Sequence, residues 1–383
     1  MVLTLADLDR IETYKDVDRN DMLSKIIRLP EDFLEAYDMA LKVEVPKSIQ
    51  VGSKRIKYET PDKVVICGMG GSAIGGDILR AWLRDRIKIP LEVVRSYHLP
   101  AYVDEKTLVM AVSYSGETEE TISCFVEALK RGSMVIAVTS GGLLGYMASE
   151  AGIPLFKAPS GRPPRTALAY LFTPLAIALS KLGIEVDLED ELNEAVKNMI
   201  RLREEISPKV PLELNIAKKL ALEISGLIPV IYASTEYYPI AFRFKTQLNE
   251  NSKYPAKCDE LPELNHNDIV GWDAPMELTK KFLVIMLMGG DEPMPIKRRI
   301  EVTKDIVRRK AHRVVVLEGR GLSRLSRMLS LLYVGDFTSY YLALLRGVDP
   351  SPTPAIDLLK SELDKRMALK RELREEFKKL LGE

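Results

Sequence analysis

Two stretches of the sequence decide the fold: residues 63–73, KVVICGMGGSA, and residues 108–118, LVMAVSYSGET. In each, a short run of apolar residues is followed by glycines and hydroxyl side chains. Such a run predicts a strand of a parallel sheet that is buried on both faces. Helices are predicted after them, over Ile74–Leu83 and Glu119–Arg131. The alternation predicts βαβ units.

The same order of strands occurs twice along the chain. Strands over Leu91–Val94 and Met134–Val138 complete the first set, and three later runs resemble the first: Pro229–Tyr232, Phe282–Met288 and Arg313–Leu317. The matched strands are separated by roughly 165–180 residues, which indicates an internal repeat with loop insertions. We therefore predict an α/β protein of two halves, each a doubly wound, mainly parallel sheet flanked by helices.

Length and composition are those of a folded protein with two domains. The chain has 383 residues, of which 46% are hydrophobic and 29% are charged. At about 100–200 residues per domain, two domains are expected. The prediction is an N-terminal helical segment over residues 1–45 and a first domain over 46–190. A second domain follows over 205–355, and a C-terminal helix over 356–383. The charged C-terminal helix has a partly apolar face, so it could be solvated or could dock on a partner.

Charge and cysteine content exclude several classes of protein. The 55 basic and 55 acidic residues balance, which argues against nucleic-acid binding and gives no sign of a membrane surface. The three cysteines form no CxxC pair, which favours a reducing compartment. The first residues are acidic and mixed and do not resemble a signal peptide. We expect a cytoplasmic protein.

Three hydroxyl side chains mark a candidate phosphate site. Ser113, Ser115 and Thr118 follow a predicted strand and open the next helix. The first N–H groups of a helix lack acceptors and face an anion together with the helix dipole. Hydroxyls beside them would complete a cradle for a phosphomonoester. The alternative, a plain helix cap, explains one hydroxyl but not three.

The first glycine-rich turn has three interpretations. Gly68, Gly70 and Ala73 match the GxGxxA spacing of a dinucleotide fingerprint. The acidic residue expected after the second strand is missing, because Arg95 stands there. The turn could instead hold any phosphate at the helix N-terminus, or it could be a tight turn without a ligand.

A metal site is not expected. His98, His266 and His312 are scattered along the chain, and no carboxylate lies at a ligand spacing from them. Cys67 and Cys124 are expected in the core rather than as nucleophiles.

These motifs, with others further along the chain, resemble one enzyme family. The motifs are VVICGMGGSAIGGD at 64–77, AVSYSGETEET at 111–121, Pro164-Arg165, LNEN at 248–251 and LNHND at 264–268. Together they resemble the bifunctional phosphoglucose/phosphomannose isomerases, which contain two sugar isomerase (SIS) domains. The resemblance runs from about residue 20 to Lys360 and implies a homodimer that needs neither metal nor nucleotide cofactor.

The resemblance assigns the phosphate of a hexose 6-phosphate to the two loops of the first half. Five residues would hold it: Gly71, Ser72, Ser113, Ser115 and Thr118. Arg165 would stabilise negative charge near the reacting carbons. Aldose–ketose isomerisation passes through a cis-enediol, and a cation is needed to offset the charge of the enediolate.

The remaining implied roles fall in the second half and the tail. Glu250 would be the base that moves a proton between adjacent carbons. His266, contributed by the partner subunit, and Lys360 would open the sugar ring; histidine changes protonation near neutral pH. Thr353 stands where conventional phosphoglucose isomerases typically carry glutamine, and the smaller residue is associated with accepting the mannose epimer.

The implied activity is interconversion of glucose 6-phosphate and mannose 6-phosphate with fructose 6-phosphate. Three alternatives remain open from the sequence. One is a non-catalytic sugar-phosphate sensor or regulator on the same fold, although no basic helix-turn-helix is evident. Another is a nucleotide-dependent oxidoreductase, and the last is an isomerase of an aminosugar or pentose phosphate.

Overall fold

The computed structural model describes residues 8–382, which form two compact units. The five-stranded unit consists of Glu31–Leu188 and the chain from Pro354 onward. The four-stranded unit consists of the chain up to Pro30 and Glu189–Thr353. The expected N-terminal segment is thus divided between the two units at Pro30.

The described residues form eleven strands and fifteen α-helices. The strands are β1 Ser48–Val51, β2 Lys54–Lys57, β3 Lys63–Cys67, β4 Leu91–Val94, β5 Thr107–Val112, β6 Met134–Thr139, β7 Leu155–Lys157, β8 Ile228–Ser234, β9 Lys257–Leu261, β10 Phe282–Met288 and β11 Arg313–Glu318. The helices are α1 Tyr14–Val17, α2 Met22–Ile27, α3 Leu29–Leu41, α4 Ile74–Leu83, α5 Glu119–Arg131, α6 Gly142–Glu150, α7 Leu168–Lys181, α8 Leu188–Ile206, α9 Ile216–Ile224, α10 Tyr238–Glu250, α11 Met276–Thr279, α12 Met294–Arg308, α13 Arg324–Leu345, α14 Pro354–Arg366 and α15 Leu369–Leu381.

The five-stranded unit contains a wholly parallel sheet in the order β4-β3-β5-β6-β7. All six residues of β5 are buried, as expected for a central strand with helices on both faces. The structure therefore confirms the predicted buried strands and the helices that follow β3 and β5. Because the strands are parallel, the loops after β3, β5 and β6 all lie at the carboxyl edge of the sheet.

The four-stranded unit repeats this topology. Its strands are parallel and read β9-β8-β10-β11 across the sheet, which matches β4-β3-β5-β6 position by position. Within residues 8–382, β7 has no counterpart in the second sheet. The repeat inferred from the sequence is confirmed, and β9 supplies the fourth strand of the second sheet, which the sequence did not predict.

The longest helix, α13, forms the core of the four-stranded unit. Every residue except Arg324 and Arg327 is buried. Its length and apolar composition alone would suit a membrane span, but the apolar stretch is entirely buried within the unit. A core helix of a globular unit has the same properties, so this helix is weak evidence for a span.

An ion pair in the core joins α10 to α13. Arg243 donates to Asp336 through Nη2 at 2.7 Å and through Nε at 3.2 Å. Gln247, one turn further along α10, donates to the same carboxylate at 2.7 Å. Both charged side chains are buried, at 3% and 4% exposed. The pair holds the helix that ends at Glu250.

The tail differs from the single helix expected over 356–383. It forms two helices, α14 and α15, interrupted at Met367 and Ala368. In α15, Leu373 and Phe377 are buried, and the ring of Phe377 lies 6.5 Å from that of Phe125 on α5. No residue of α14 is buried. Only α15 is therefore held by apolar packing within its own unit, and α14 is exposed.

We predict that Asp336→Ala lowers the free energy of unfolding by about 3 kcal/mol, because it removes a buried carboxylate from a buried guanidinium. Urea denaturation would measure the loss. The control is Glu301→Ala, which breaks the exposed Arg298–Glu301 pair and should change the stability by no more than about 0.5 kcal/mol. Equal effects of the two substitutions would contradict the assignment of the Asp336 pair to the core.

Candidate active site

The first loop of the candidate site follows β3 and packs closely on the turn that contains Arg165. Gly70 has a φ of 49°, in the left-handed region, and residues Gly70–Ser72 form one 3-10 turn. A Cβ added to Gly71 would lie 3.2 Å from the backbone nitrogen of Arg165. Glycine at this position therefore allows the loop and the turn to approach each other. The sequence-predicted residues Gly71, Ser72 and Arg165 are close together in the structure.

The second loop, residues 113–118, places its hydroxyls at the start of α5. The Ser113 hydroxyl donates to Thr118 Oγ1 at 2.8 Å and accepts from the Gly116 N–H at 3.1 Å. Ser115 Oγ accepts from the Glu117 N–H at 3.2 Å. Ser113 is buried, Thr118 is half-buried and Ser115 is exposed. The structure therefore brings the three predicted hydroxyls to one helix N-terminus.

Helix capping does not account for these hydroxyls. Thr118 is the N-cap residue of α5, and its side chain makes no capping hydrogen bond. Among the described residues, no acceptor contacts the backbone N–H groups of Glu119 or Glu120. These N–H groups and the Thr118 hydroxyl are the features that bind an oxyanion at a helix start.

A third loop, after β6, packs against the second through two glycines. Gly116 has a φ of 70°, and a Cβ there would lie 1.8 Å from the carbonyl oxygen of Gly141. The Leu144 N–H donates to the Gly116 carbonyl at 2.9 Å. The backbones of the two loops are therefore in direct contact, and no side chain fits between them.

Arg162 and Arg165, the two arginines of the segment Arg162-Pro163-Pro164-Arg165, have different environments. Arg162 forms an ion pair with Asp32, which is fully buried on α3, and its Nη2 donates to Asp32 Oδ1 at 3.0 Å. The Tyr170 hydroxyl donates to the same oxygen at 3.1 Å. Arg165 is 4% exposed and lies on the side of the turn that faces Gly71. Arg162 is anchored by Asp32, and the backbone of Arg165 borders the first loop at Gly71.

The dinucleotide interpretation of the glycine turn loses support at Arg95. This residue follows β4, where a ribose-binding carboxylate would stand. Arg95 instead forms an ion pair with Asp77 on α4, and its Nη1 lies 3.5 Å from Asp77 Oδ1. A guanidinium cation therefore lies after β4, where a dinucleotide site would need a carboxylate.

Cys67 and Cys124 are buried core residues, as expected. A hydrogen bond with Cys124, together with burial, holds the pKa of the Cys67 thiol well above its usual range. A thiol in this state is not a nucleophile.

Glu250 belongs to the four-stranded unit and is the last residue of α10. It is half-buried. The chain after it is firmly held: Asn251 Nδ2 donates to Ser339 Oγ at 2.9 Å, and the Ser252 hydroxyl donates to the Ser339 carbonyl at 2.7 Å. Both contacts are buried on α13. The carboxylate is therefore carried by a helix end that has little freedom to move.

The other three predicted residues lie at accessible positions. His266 ends the 3-10 turn Glu263–His266 and is exposed. Thr353 is half-buried just before α14. Lys360 is exposed on α14, and it has no hydrogen bond or ion pair to any described residue. His266 and Thr353 belong to the four-stranded unit, and Lys360 belongs to the five-stranded unit.

The corresponding loop of the four-stranded unit, after β10, is filled by its own carboxylate. The Gly290 N–H donates to Glu292 Oε2 at 2.8 Å, and the Gly289 N–H donates to the other oxygen. Glu292 is 4% exposed. A protein carboxylate thus takes the N–H groups that an external anion would need, so only the first half offers a phosphate cradle among these two loops.

Sequence reasoning missed the residues that hold the site together. Tyr114 lies between Ser113 and Ser115, and its backbone N–H donates to Ser72 Oγ at 3.1 Å. Its carbonyl accepts from the Ser140 N–H at 2.9 Å. Asp32, the anchor of Arg162, stands in an ordinary amphipathic helix. Neither residue carries a local signal, because each role depends on a contact distant in sequence.

Comparisons with known proteins define the class of the chain. Residues 57–143 match the SIS domain model, and residues 213–363 match the model of the bacterial phospho-glucose isomerase C-terminal SIS domain. A hypothetical protein from Thermus thermophilus has a similar structure, with a TM-score of 0.71 at 19% identity over 95% of this chain and 94% of that one. The two predicted SIS domains are confirmed.

Relatives of known name define the family. The bifunctional phosphoglucose/phosphomannose isomerase of Caldicellulosiruptor bescii is 44% identical over 89% of this chain and 98% of its own length. That of Aquifex aeolicus is 39% identical over 80% of this chain and 92% of its own length. The chain belongs to the bifunctional phosphoglucose/phosphomannose isomerase family.

We predict that Gly116→Ala weakens binding of a hexose 6-phosphate at least about tenfold, because the added Cβ forces the second and third loops apart. Isothermal titration with fructose 6-phosphate would measure this. The matched control is Gly132→Ala: its φ is 74°, but nothing lies within 4 Å of the added Cβ.

The control should cost about 1 kcal/mol of stability from backbone strain alone and leave binding unchanged. Equal affinities of the two variants would contradict a role for the loop contact in binding.

Proposed function

We propose that the protein interconverts glucose 6-phosphate with fructose 6-phosphate, and mannose 6-phosphate with fructose 6-phosphate. The names of its relatives support this activity. The observation that carries the proposal is the convergence of three hydroxyls on the N-terminus of α5, whose first N–H groups have no acceptor among the described residues. This is the chemistry of a phosphomonoester site.

In this proposal, the substrate phosphate lies against the first and second loops. Ser113, Ser115 and Thr118 supply hydroxyls to it. Gly71 lets the backbone of the first loop come close to the phosphate, and Ser72 supplies one further hydroxyl. The phosphate takes no part in the reaction. Its binding energy serves to place the sugar carbons at the groups that react with them.

The proposed chemistry is a proton transfer between adjacent carbons. Glu250 removes the proton from the carbon beside the carbonyl, which gives a cis-enediolate, and returns it to the former carbonyl carbon. Between these transfers the hydroxyl proton passes to the former carbonyl oxygen, so that the second oxygen becomes the new carbonyl. One carboxylate suffices for both transfers when it faces both carbons. Arg165 stabilises the negative charge of the enediolate, because a buried guanidinium acts on that charge at low dielectric. No metal is needed for this step.

Ring opening precedes the proton transfer. We assign it to His266 and Lys360, with His266 supplied by the partner subunit of a homodimer. The exposure of His266 is compatible with that role, since an exposed side chain can reach a second chain. The proposal places the enzyme in the cytoplasm, where hexose phosphates are metabolised.

We predict that Glu250→Gln reduces kcat at least about a thousandfold while fructose 6-phosphate still binds, because the amide cannot accept the proton and the phosphate site is unchanged. A coupled assay would measure turnover, and titration calorimetry would measure binding. Glu277→Gln, an exposed carboxylate of the same unit, should retain full activity. A Glu250→Gln enzyme that turns over at the wild-type rate would show that another residue is the base.

We predict that Thr353→Gln lowers kcat/KM for mannose 6-phosphate at least about fivefold more than for glucose 6-phosphate, because the larger side chain discriminates between epimers. Parallel assays on both substrates would measure the ratio. Thr353→Ser preserves the hydroxyl and the small volume, and should leave the ratio within about twofold of wild type. An equal loss on both substrates would refute the specificity role.

The same assays separate the proposal from a non-catalytic sensor. A sensor would bind fructose 6-phosphate, would not form glucose 6-phosphate from it, and would be insensitive to Glu250→Gln. Formation of glucose 6-phosphate by the wild-type protein supports the isomerase.

A further inference from the structure

Tyr114 is a buried residue of the second loop to which the proposed chemistry gives no role. Its neighbours Ser113 and Ser115 carry hydroxyls of the phosphate cradle, but its own side chain is 5% exposed and extends to residues 159–162, just before the turn that contains Arg165. Burial raises the pKa of its phenol, so the hydroxyl stays protonated and can donate a hydrogen bond.

The backbone of Tyr114 joins the three loops at the carboxyl edge of the sheet. Its N–H donates to Ser72 Oγ of the first loop at 3.1 Å. Its carbonyl accepts from the Ser140 hydroxyl of the third loop at 2.7 Å and from the Ser140 N–H at 2.9 Å. These contacts do not depend on the phenol, so they survive substitution of the side chain.

The phenol of Tyr114 makes a separate pair of contacts, both with the backbone of residues 159–162, which precede the turn that contains Arg165. Its hydroxyl donates to the Pro159 carbonyl at 2.8 Å and accepts from the Arg162 N–H at 2.9 Å. One hydroxyl therefore holds two backbone points of the segment that leads into this turn. The side chain of Arg162 is held independently by Asp32, which is fully buried.

Arg162 and Arg165 are joined by a short and stiff stretch of backbone. Pro163 and Pro164 lie between them, and each proline ring fixes its own φ. Arg165 itself lies in a 3-10 turn that begins at Pro164. Because few backbone bonds between them can rotate, we expect a shift of the Arg162 backbone to move the backbone of Arg165 as well.

We propose that Tyr114 is a positioning residue for Arg165. It holds Arg165 beside the first and second loops, where the guanidinium can stabilise the negative charge that develops on the bound sugar. This inference rests on the proposed isomerase function. It assigns the backbone of Tyr114 to the phosphate cradle and its phenol to the stabilisation of the enediolate.

The substitution Tyr114→Phe separates these two assignments. It keeps the ring and all backbone contacts and removes both hydrogen bonds of the hydroxyl. We expect kcat for fructose 6-phosphate to fall about tenfold and KM to stay within about twofold, because the lost interaction acts in the transition state. Steady-state assays at saturating and limiting substrate would measure both constants.

Tyr58→Phe is the matched control for a merely structural effect. Tyr58 is buried in the same unit at 8% exposed, and its hydroxyl donates to the Val135 carbonyl of β6 at 2.7 Å. Its loss removes a comparable buried hydrogen bond. Both variants should show a reduced melting temperature, but Tyr58→Phe should retain wild-type kcat and KM.

A double-mutant cycle with Arg165→Ala tests whether Tyr114 acts through Arg165. Residues that act as one unit are not additive. In the Arg165→Ala background, Tyr114→Phe should lower kcat by less than about twofold. A further tenfold loss there would overturn the inference, because Tyr114 would then act independently of the arginine. Arg165→Lys replaces Arg165→Ala in the cycle if the alanine variant does not fold.

These experiments distinguish a wrong role for Tyr114 from a wrong proposed function. A wild-type enzyme that is active, with a Tyr114→Phe variant that retains wild-type kcat, overturns the role of Tyr114 alone. A wild-type protein that binds fructose 6-phosphate but does not isomerise it overturns the proposed function and this inference with it. A tenfold loss in kcat that disappears in the Arg165→Ala background supports both.

Discussion

The close approach of backbones at one edge of a parallel sheet is the constraint on which the site depends. Gly116 lies against the Gly141 carbonyl, and Gly71 lies against the Arg165 backbone. A side chain at either glycine would push apart loops that come from different strands. Parallel strands bring their carboxyl ends to one edge, and glycine lets the loops there touch. The hydroxyls of the second loop, the first N–H groups of α5 and the backbone of Arg165 therefore lie at the same edge of the sheet.

The two units show how one topology serves two purposes. Both sheets have the same strand order over four strands. In both, a central strand, β5 or β10, is followed by a loop and then by a helix, α5 or α12. In the first unit that loop ends in hydroxyls and open N–H groups. In the second, Glu292 binds the N–H groups of Gly289 and Gly290. A carboxylate supplied by the chain thus takes these loop N–H groups, and the second unit carries Glu250 at the end of α10 instead.

Local patterns in the sequence explain the elements that could be predicted and those that could not. Strand β3 was predicted from a continuous apolar run that ends in glycines, and α4 and α5 were predicted as the helices that follow such strands. In the structure, Gly132 ends α5 with a φ of 74°. Strand β9 was missed because its residues, KCDEL, lie at a half-buried sheet edge and lack an apolar run. Ser113, Ser115 and Thr118 were visible as a motif. The role of Tyr114 was not visible, because it depends on Pro159, Arg162 and Ser140, which only the folded chain brings near.

The most direct test of the account is a crystal structure of the full chain with fructose 6-phosphate bound. We expect the phosphate at the N-terminus of α5, with its oxygens within hydrogen-bond distance of the hydroxyls of Ser115 and Thr118 and of the first backbone N–H groups of the helix. A phosphate bound at any other position, with this helix start left to solvent, would contradict the central claim.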